Sequence, residues 1–220
     1  MPDLVPDTRG SGLVSTWQQH AGVLFAGGNS SVLRGWNMRQ ERCTFRVPTH
    51  TDSCVTTLAS DELTTGQVVA GFGDGTLRLF DARSRPDAAL TCTMREHSSW
   101  VVQTHLYAGK YELLSGSVSG ELKFWDLRFP KLSVRSLEAH RSPMTALAVH
   151  DYAPIFASGS HNQFIKVFRS DGEQLALIRH HEGFLGERIG PVSCLAFHPH
   201  RLYLAAGATD SVVAIYSSDK

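Results

Sequence analysis

Apolar residues in this chain come in short runs, and each run is stopped by a small residue and a glycine. The stops are Ala26-Gly27, Ala70-Gly71, Ser115-Gly116-Ser117, Ser158-Gly159-Ser160 and Ala206-Gly207. Nine residues after each glycine stands a ring: Trp36, Phe80, Trp125, Phe168 and Tyr216. Six and eight residues after it the chain is apolar, as at Leu77/Leu79, Leu122/Phe124, Ile165/Val167 and Val213/Ile215, with Gly35 the one exception. Between those two positions lies Arg34, Arg78, Lys123, Lys166 or Ala214. Turn-forming residues fill the gap after the glycine, for example Gly73-Asp74-Gly75 and Ser119-Gly120. An apolar run, a tight turn and an alternating run that ends on a ring form a β-hairpin.

A further apolar strand precedes each hairpin: Leu13–Trp17, Val55–Ala59, Trp100–Leu106, Met144–Val149 and Val192–Phe197. An alternating strand follows the first four, as at Leu90–Met94. The glycines are 44, 45, 43 and 48 residues apart, so the repeat is four antiparallel strands, the size of one propeller blade. The expected blades are 12–47, 54–95, 100–137, 144–179 and 192–217, with 1–11 as a linker. No stretch keeps a 3.6-residue period, and the prolines fall between strands or at their ends. The expected fold class is therefore all-β, a five-bladed array.

Composition narrows the function. Lys and Arg number 21, Asp and Glu 21, so no excess of cations exists to track a nucleic-acid backbone. No apolar run is long enough to span a bilayer as a helix, and no nucleic-acid or membrane-inserting role is expected. Gly71-Phe72-Gly73-Asp74-Gly75 resembles a phosphate loop, but a strand follows it where such loops need a helix N-terminus. His180-His181-Glu182 and His198-Pro199-His200 lack metal-ligand spacing, so no metal or cofactor is expected. Cys43, Cys54, Cys92 and Cys194 form no C-x-x-C pair and read as buried, reduced thiols. A catalytic propeller needs carboxylates converging in its channel. The five innermost strands contain neither Asp nor Glu, which argues against a hydrolase and leaves no candidate catalytic residue. The Lys and Arg of the third strands are expected to pack their stems and send their heads to water.

Trp125-Asp126, with its variants Phe80-Asp81 and Trp36-Asn37, resembles the dipeptide of the WD-repeat family. The resemblance implies a buried network in each blade, joining a histidine before the first strand, an Asp in the hairpin turn and the Trp that closes the third strand. The histidines would be His50, His97, His140 and His181. The turn residues would be Asp74, Ser119, Asn162 and Asp210, and the rings Phe80, Trp125, Phe168 and Tyr216. No blade holds the full set, so packing must carry more of the stability. The last blade lacks a fourth strand, and Met1–Ser11, with Pro2 and Pro6, is a poor donor of one. The chain thus reads as the C-terminal part of a larger propeller with about two blades missing on its N-terminal side; a complete five-bladed ring with an incomplete last blade is the alternative.

Longer stretches are more specific. Arg95–Val102, Gly159–Phe164 and above all Gly183–His200 closely resemble the C-terminal propeller of the raptor family, scaffold subunits of the rapamycin-sensitive TOR kinase complex. The resemblance runs from about Thr8 to the end of the chain. It implies that the chain is the C-terminal part of a seven-bladed propeller, and a non-catalytic interaction scaffold with the TOR kinase complex as its protein partner. It also implies a cytoplasmic location, at the vacuolar or lysosomal surface. A WD-repeat adaptor of another pathway is the alternative. One loop departs from the repeat: His181 to Gly207 spans 26 residues, against 21, 19 and 19 for the preceding copies. The surplus carries Phe184, Leu185, Arg188 and Ile189, which are expected either to contact a partner or to plug the end of the propeller.

Overall fold

The computed structural model describes residues 12–61, 66–107, 109–179 and 190–217. Nineteen strands form five antiparallel sheets, and the only helical element among the described residues is a 3-10 turn at Pro86–Ala88. Sheet 1 runs in order β1 (Val14–Gln18), β2 (Val23–Gly27), β3 (Val32–Asn37) and β4 (Arg42–Pro48). Sheet 2 holds β5 (Val55–Ser60), β6 (Gln67–Phe72), β7 (Leu77–Asp81) and β8 (Leu90–Met94). Sheet 3 holds β9 (Val101–Leu106), β10 (Glu112–Ser117), β11 (Glu121–Asp126) and β12 (Arg135–Glu138). Sheet 4 holds β13 (Met144–Val149), β14 (Ile155–Ser160), β15 (Phe164–Arg169) and β16 (Gln174–Arg179). Sheet 5 has three strands, β17 (Val192–Phe197), β18 (Tyr203–Ala208) and β19 (Val213–Ser217). The chain divides into two compact units, residues 1–115 with 123–135, and residues 116–122 with 136–220.

In the first unit, successive residues of sheet 2 serve two cores. Val68, Ala70 and Phe80 pack with Phe25, Leu33 and Val47 of sheet 1. Val69, Leu77 and Leu79 pack with Val101, Leu113 and Trp125. A sheet buried on both faces needs continuous apolar runs, which is why its strands show little alternation. In the second unit, Ala146, Ala157 and Ile165 of sheet 4 pack with Val192, Leu204 and Ala206 of sheet 5. Gly35, the exception in the apolar pattern, is explained by crowding. A Cβ there would come within 2.9 Å of both Phe25 and Phe45, whose rings meet edge to face at 5.7 Å.

Two irregularities recur. The pairing of the first strand with the second skips a residue at Thr56, Thr145 and Ser193. In each case the skipped hydroxyl lies against the carbonyl of the marker glycine: Thr145 donates to Gly159 at 3.3 Å and Ser193 to Gly207 at 3.0 Å, while Thr56, 3.1 Å from Gly71 O, makes its shorter contact with Val101 O at 2.6 Å. The third and fourth strands slip just before the ring, between Gly35 and Trp36, Leu79 and Phe80, and Val167 and Phe168. Bulges of this kind increase local twist. No helix among the described residues is long and apolar enough to cross a membrane.

Candidate functional site

The polar positions singled out in the repeat do form a buried site, but only in part and with a different hub. In the first unit Ser115 receives the indole N–H of Trp125 at 2.8 Å and shares a 2.7 Å hydrogen bond with His97 Nε2. Trp125, His97 and Ser115 are all buried. In the second unit His140 Nε2 lies 2.7 Å from Ser158 Oγ. Phe168 occupies the ring position there, buried and stacked on Phe156 at 5.1 Å, and it has no N–H to offer. Ser115 and Ser158 each precede the marker glycine, in the small-residue stop of the sequence pattern. The other copies have Ala26, Ala70 and Ala206 at that position.

The missing hydroxyl has consequences where alanine replaces it. Trp36 Nε1 is buried with no hydrogen-bond partner among the described residues. His50 is exposed, with a left-handed backbone at φ 56°, and does not enter a buried network. Phe80 is wholly buried but apolar. Asp74 is exposed and caps its own turn, accepting from the Thr76 amide at 2.9 Å and the Thr76 hydroxyl at 2.7 Å. Asp210 does the same for the last turn, accepting from the amides of Gly190 and Val212. Tyr216 is half-buried against the core of the second unit. Ser119 bonds Ser117 at 2.8 Å, and Asn162 is exposed at the hairpin tip. His181, Phe184, Leu185, Arg188 and Ile189 lie outside the described residues.

The third-strand cations correct the expectation that their heads reach water. Arg78 and Lys123 are only 4% and 7% exposed. Arg78 donates to the carbonyl of Thr49. Lys166 donates to Ala139 O at 2.6 Å. Lys123 pairs with Glu96 at 3.6 Å, and Ser133 also donates to that carboxylate. Thr49, Glu96 and Ala139 each stand one residue before His50, His97 and His140. The cation of a blade therefore ties down the segment that carries its histidine. A buried cation needs such a partner, because an unpaired one costs several kcal/mol.

The acidic or amide residue after the ring also has a structural task. Asn37, Asp81 and Asp126 accept the amides of Arg39, Arg83 and Arg128 at 2.9–3.0 Å and so close the turn to the fourth strand. Hydrogen bonds from the Arg83 and Arg128 side chains hold the Asp81 and Asp126 carboxyls below the usual range. The thiols need correction as well. Cys43, on an outer strand, and Cys194, on the last sheet, are exposed, while Cys54 and Cys92 are half-buried. Burial pushes the Cys92 thiol up, the direction that lowers its reactivity.

No His, Cys, Asp and Glu cluster among the described residues could hold a metal ion. The carboxylates described above are each committed to a turn or to Lys123. The arrangement stabilises a repeat: its two serine–histidine contacts, Ser115 with His97 and Ser158 with His140, are buried.

The WD domain, G-beta repeat family matches residues 41–81, 131–169 and 174–217. The chain is 43% identical over 218 residues to regulatory-associated protein of TOR 1 of Arabidopsis thaliana, covering 97% of this chain and 16% of that protein. It is 38% identical over 223 residues to target of rapamycin complex 1 subunit mip1 of Schizosaccharomyces pombe, covering 100% of this chain and 17% of that protein. The crystal structure of Chaetomium thermophilum Raptor superimposes with a TM-score of 0.87 at 34% identity, over 95% of this chain and 20% of that one. The chain thus spans about a sixth of the length of these curated relatives.

Proposed function

The chain belongs to the WD-repeat family, and on that premise we propose that it is a non-catalytic interaction module of a raptor-type scaffold in a TOR kinase complex. The carrying observation is the superposition on a Raptor structure over 95% of the chain at 34% identity. Likeness of fold alone would fit any WD-repeat adaptor. Identity of 43% and 38% across nearly the whole chain to two TOR-complex proteins favours this pathway over another. The side chains support binding rather than chemistry. Strands β1, β5, β9, β13 and β17 contain no Asp or Glu, so no pair of carboxylates is set up along them for acid–base work. Exposed rings and aliphatics such as Trp100, Phe129 and Tyr152 supply anchors of the kind that protein interfaces use.

In this reading the module helps assemble the complex and present substrates in growth signalling, in the cytoplasm and at the vacuolar or lysosomal surface. The test compares the full-length protein with a form lacking residues 12–217, each affinity-purified from cells. We expect the deletion to reduce recovery of the TOR kinase or of its substrates. Recovery of both at the full-length level would overturn the reading.

A further inference from the structure

Sheet 4 carries a cationic cleft whose two arginines, Arg141 and Arg179, the blade network does not use. β15 and β16 pair Phe164 with Arg179 and Lys166 with Leu177, so these four side chains share one face of the sheet. Together with the 138–142 segment they enclose a cleft of about 490 Å³. Arg141 and Arg179 line it and are exposed. Neither has an ion-pair partner among the described residues. The Arg179 guanidinium lies 5.7 Å from the Phe164 ring centre, a cation–π contact that holds it over the cleft. Lys166 gives one of its three N–H donors to Ala139 and keeps two. Asn162 adds an amide at the same wall.

The charge balance selects the ligand. Arg141, Lys166 and Arg179 contribute +3 and Glu138 −1, so the lining carries +2. The chain as a whole is neutral, with 21 cations and 21 anions, so this is a local concentration of charge. A carboxylate would leave it half compensated. A phosphoryl group, at about −1.5 to −2 with three acceptor oxygens, matches it. Two unpaired guanidinium groups also suit the fork geometry of phosphate recognition. Phe164 and Leu177 give an apolar floor beside the cations, which a free anion could not use but a neighbouring side chain could.

We infer that this cleft docks a phosphorylated segment of a partner polypeptide, with Arg141 and Arg179 gripping the phosphoryl group and Phe164 and Leu177 packing an adjacent apolar side chain. The inference does not depend on which complex the chain serves.

The test uses the full-length protein and three probes: degenerate nonapeptides with a fixed central phosphoserine, the same pool with serine, and inorganic phosphate. Fluorescence anisotropy should show the phosphoserine pool binding at least about tenfold tighter than the serine pool. Combined Arg141→Glu and Arg179→Glu should abolish that difference without moving the thermal midpoint. The milder Arg141→Gln and Arg179→Gln pair serves if charge reversal unfolds the protein. Equal binding of the two pools, or a preference that survives substitution of both arginines in a folded protein, overturns the inference. Inorganic phosphate should compete only weakly. Competition as effective as that of the peptide would mean a free-phosphate site and would also overturn it.

Discussion

A single hydroxyl decides how polar each blade interior can be. Ser115 holds two partners, the Trp125 indole N–H and His97, whereas Ser158 holds only His140. Ser115→Ala leaves two buried groups unsatisfied and should cost about 2–4 kcal/mol; Ser158→Ala leaves one and should cost about 1–2 kcal/mol. Urea denaturation of the two variants checks the order, and equal losses would contradict the hub role of Ser115. Burial, followed by the nearby Lys166 ammonium, pushes His140 down to about 4 from 6.5, against a pull upward from the Ser158 hydrogen bond. The folded state therefore resists a proton that the unfolded chain accepts. Stability from this group is full above pH 6.5 and is lost as pH falls from 6.5 towards 4, on the order of 2–3 kcal/mol in all. Wild type should lose that much more than His140→Gln between pH 7 and 4.5, and parallel pH profiles would contradict it. The imidazole positions were legible in the sequence as a spacing. The serines were not, because Ser-Gly-Ser and Ala-Gly look alike as small-residue stops. His50 shows the limit of spacing: it stands 21 residues before its glycine rather than 19, and Ala70 offers nothing to bond.

At the scale of the element, the hairpin turns of sheets 2 to 5 place a left-handed residue four positions after the marker glycine. Gly75 and Gly120 stand there at φ 81° and 87°. The same position in sheets 4 and 5 is filled by Gln163 and Ser211, both at φ 66°. A side chain in that conformation costs about 1 kcal/mol. Gln163→Gly should therefore stabilise the protein by roughly 0.5–1 kcal/mol, and a neutral or destabilising effect in thermal denaturation would contradict the strain. Strand order and the ring that ends each third strand could be read from the fixed nine-residue offset. The bulges could not, since a one-residue skip in pairing leaves the apolar spacing along each strand unchanged. The hydroxyls of Thr56, Thr145 and Ser193 were their only trace, and a threonine or serine in a strand has many other uses.

For the whole molecule, balanced charge, carboxylate-free inner strands and buried cations engaged in internal contacts fit the proposed interaction module. The family could be read from Trp125-Asp126 and the repeat length. The cleft of sheet 4 could not, because Arg141, Lys166 and Arg179 lie far apart along the chain and meet only through strand pairing and the 138–142 segment. In the proposed function, this folded array is what contributes to kinase-complex assembly. Trp125→Ala empties a large buried aromatic site and should cost about 3–5 kcal/mol, enough to open the segment in an otherwise intact protein. The deciding measurement is quantitative mass spectrometry of complexes purified through full-length wild type and Trp125→Ala, with limited proteolysis reporting whether the segment is folded. Kinase or substrate recovery should fall in proportion to the loss of protease-resistant segment. Undiminished recovery from a protein whose segment is fully cleaved would contradict the claim.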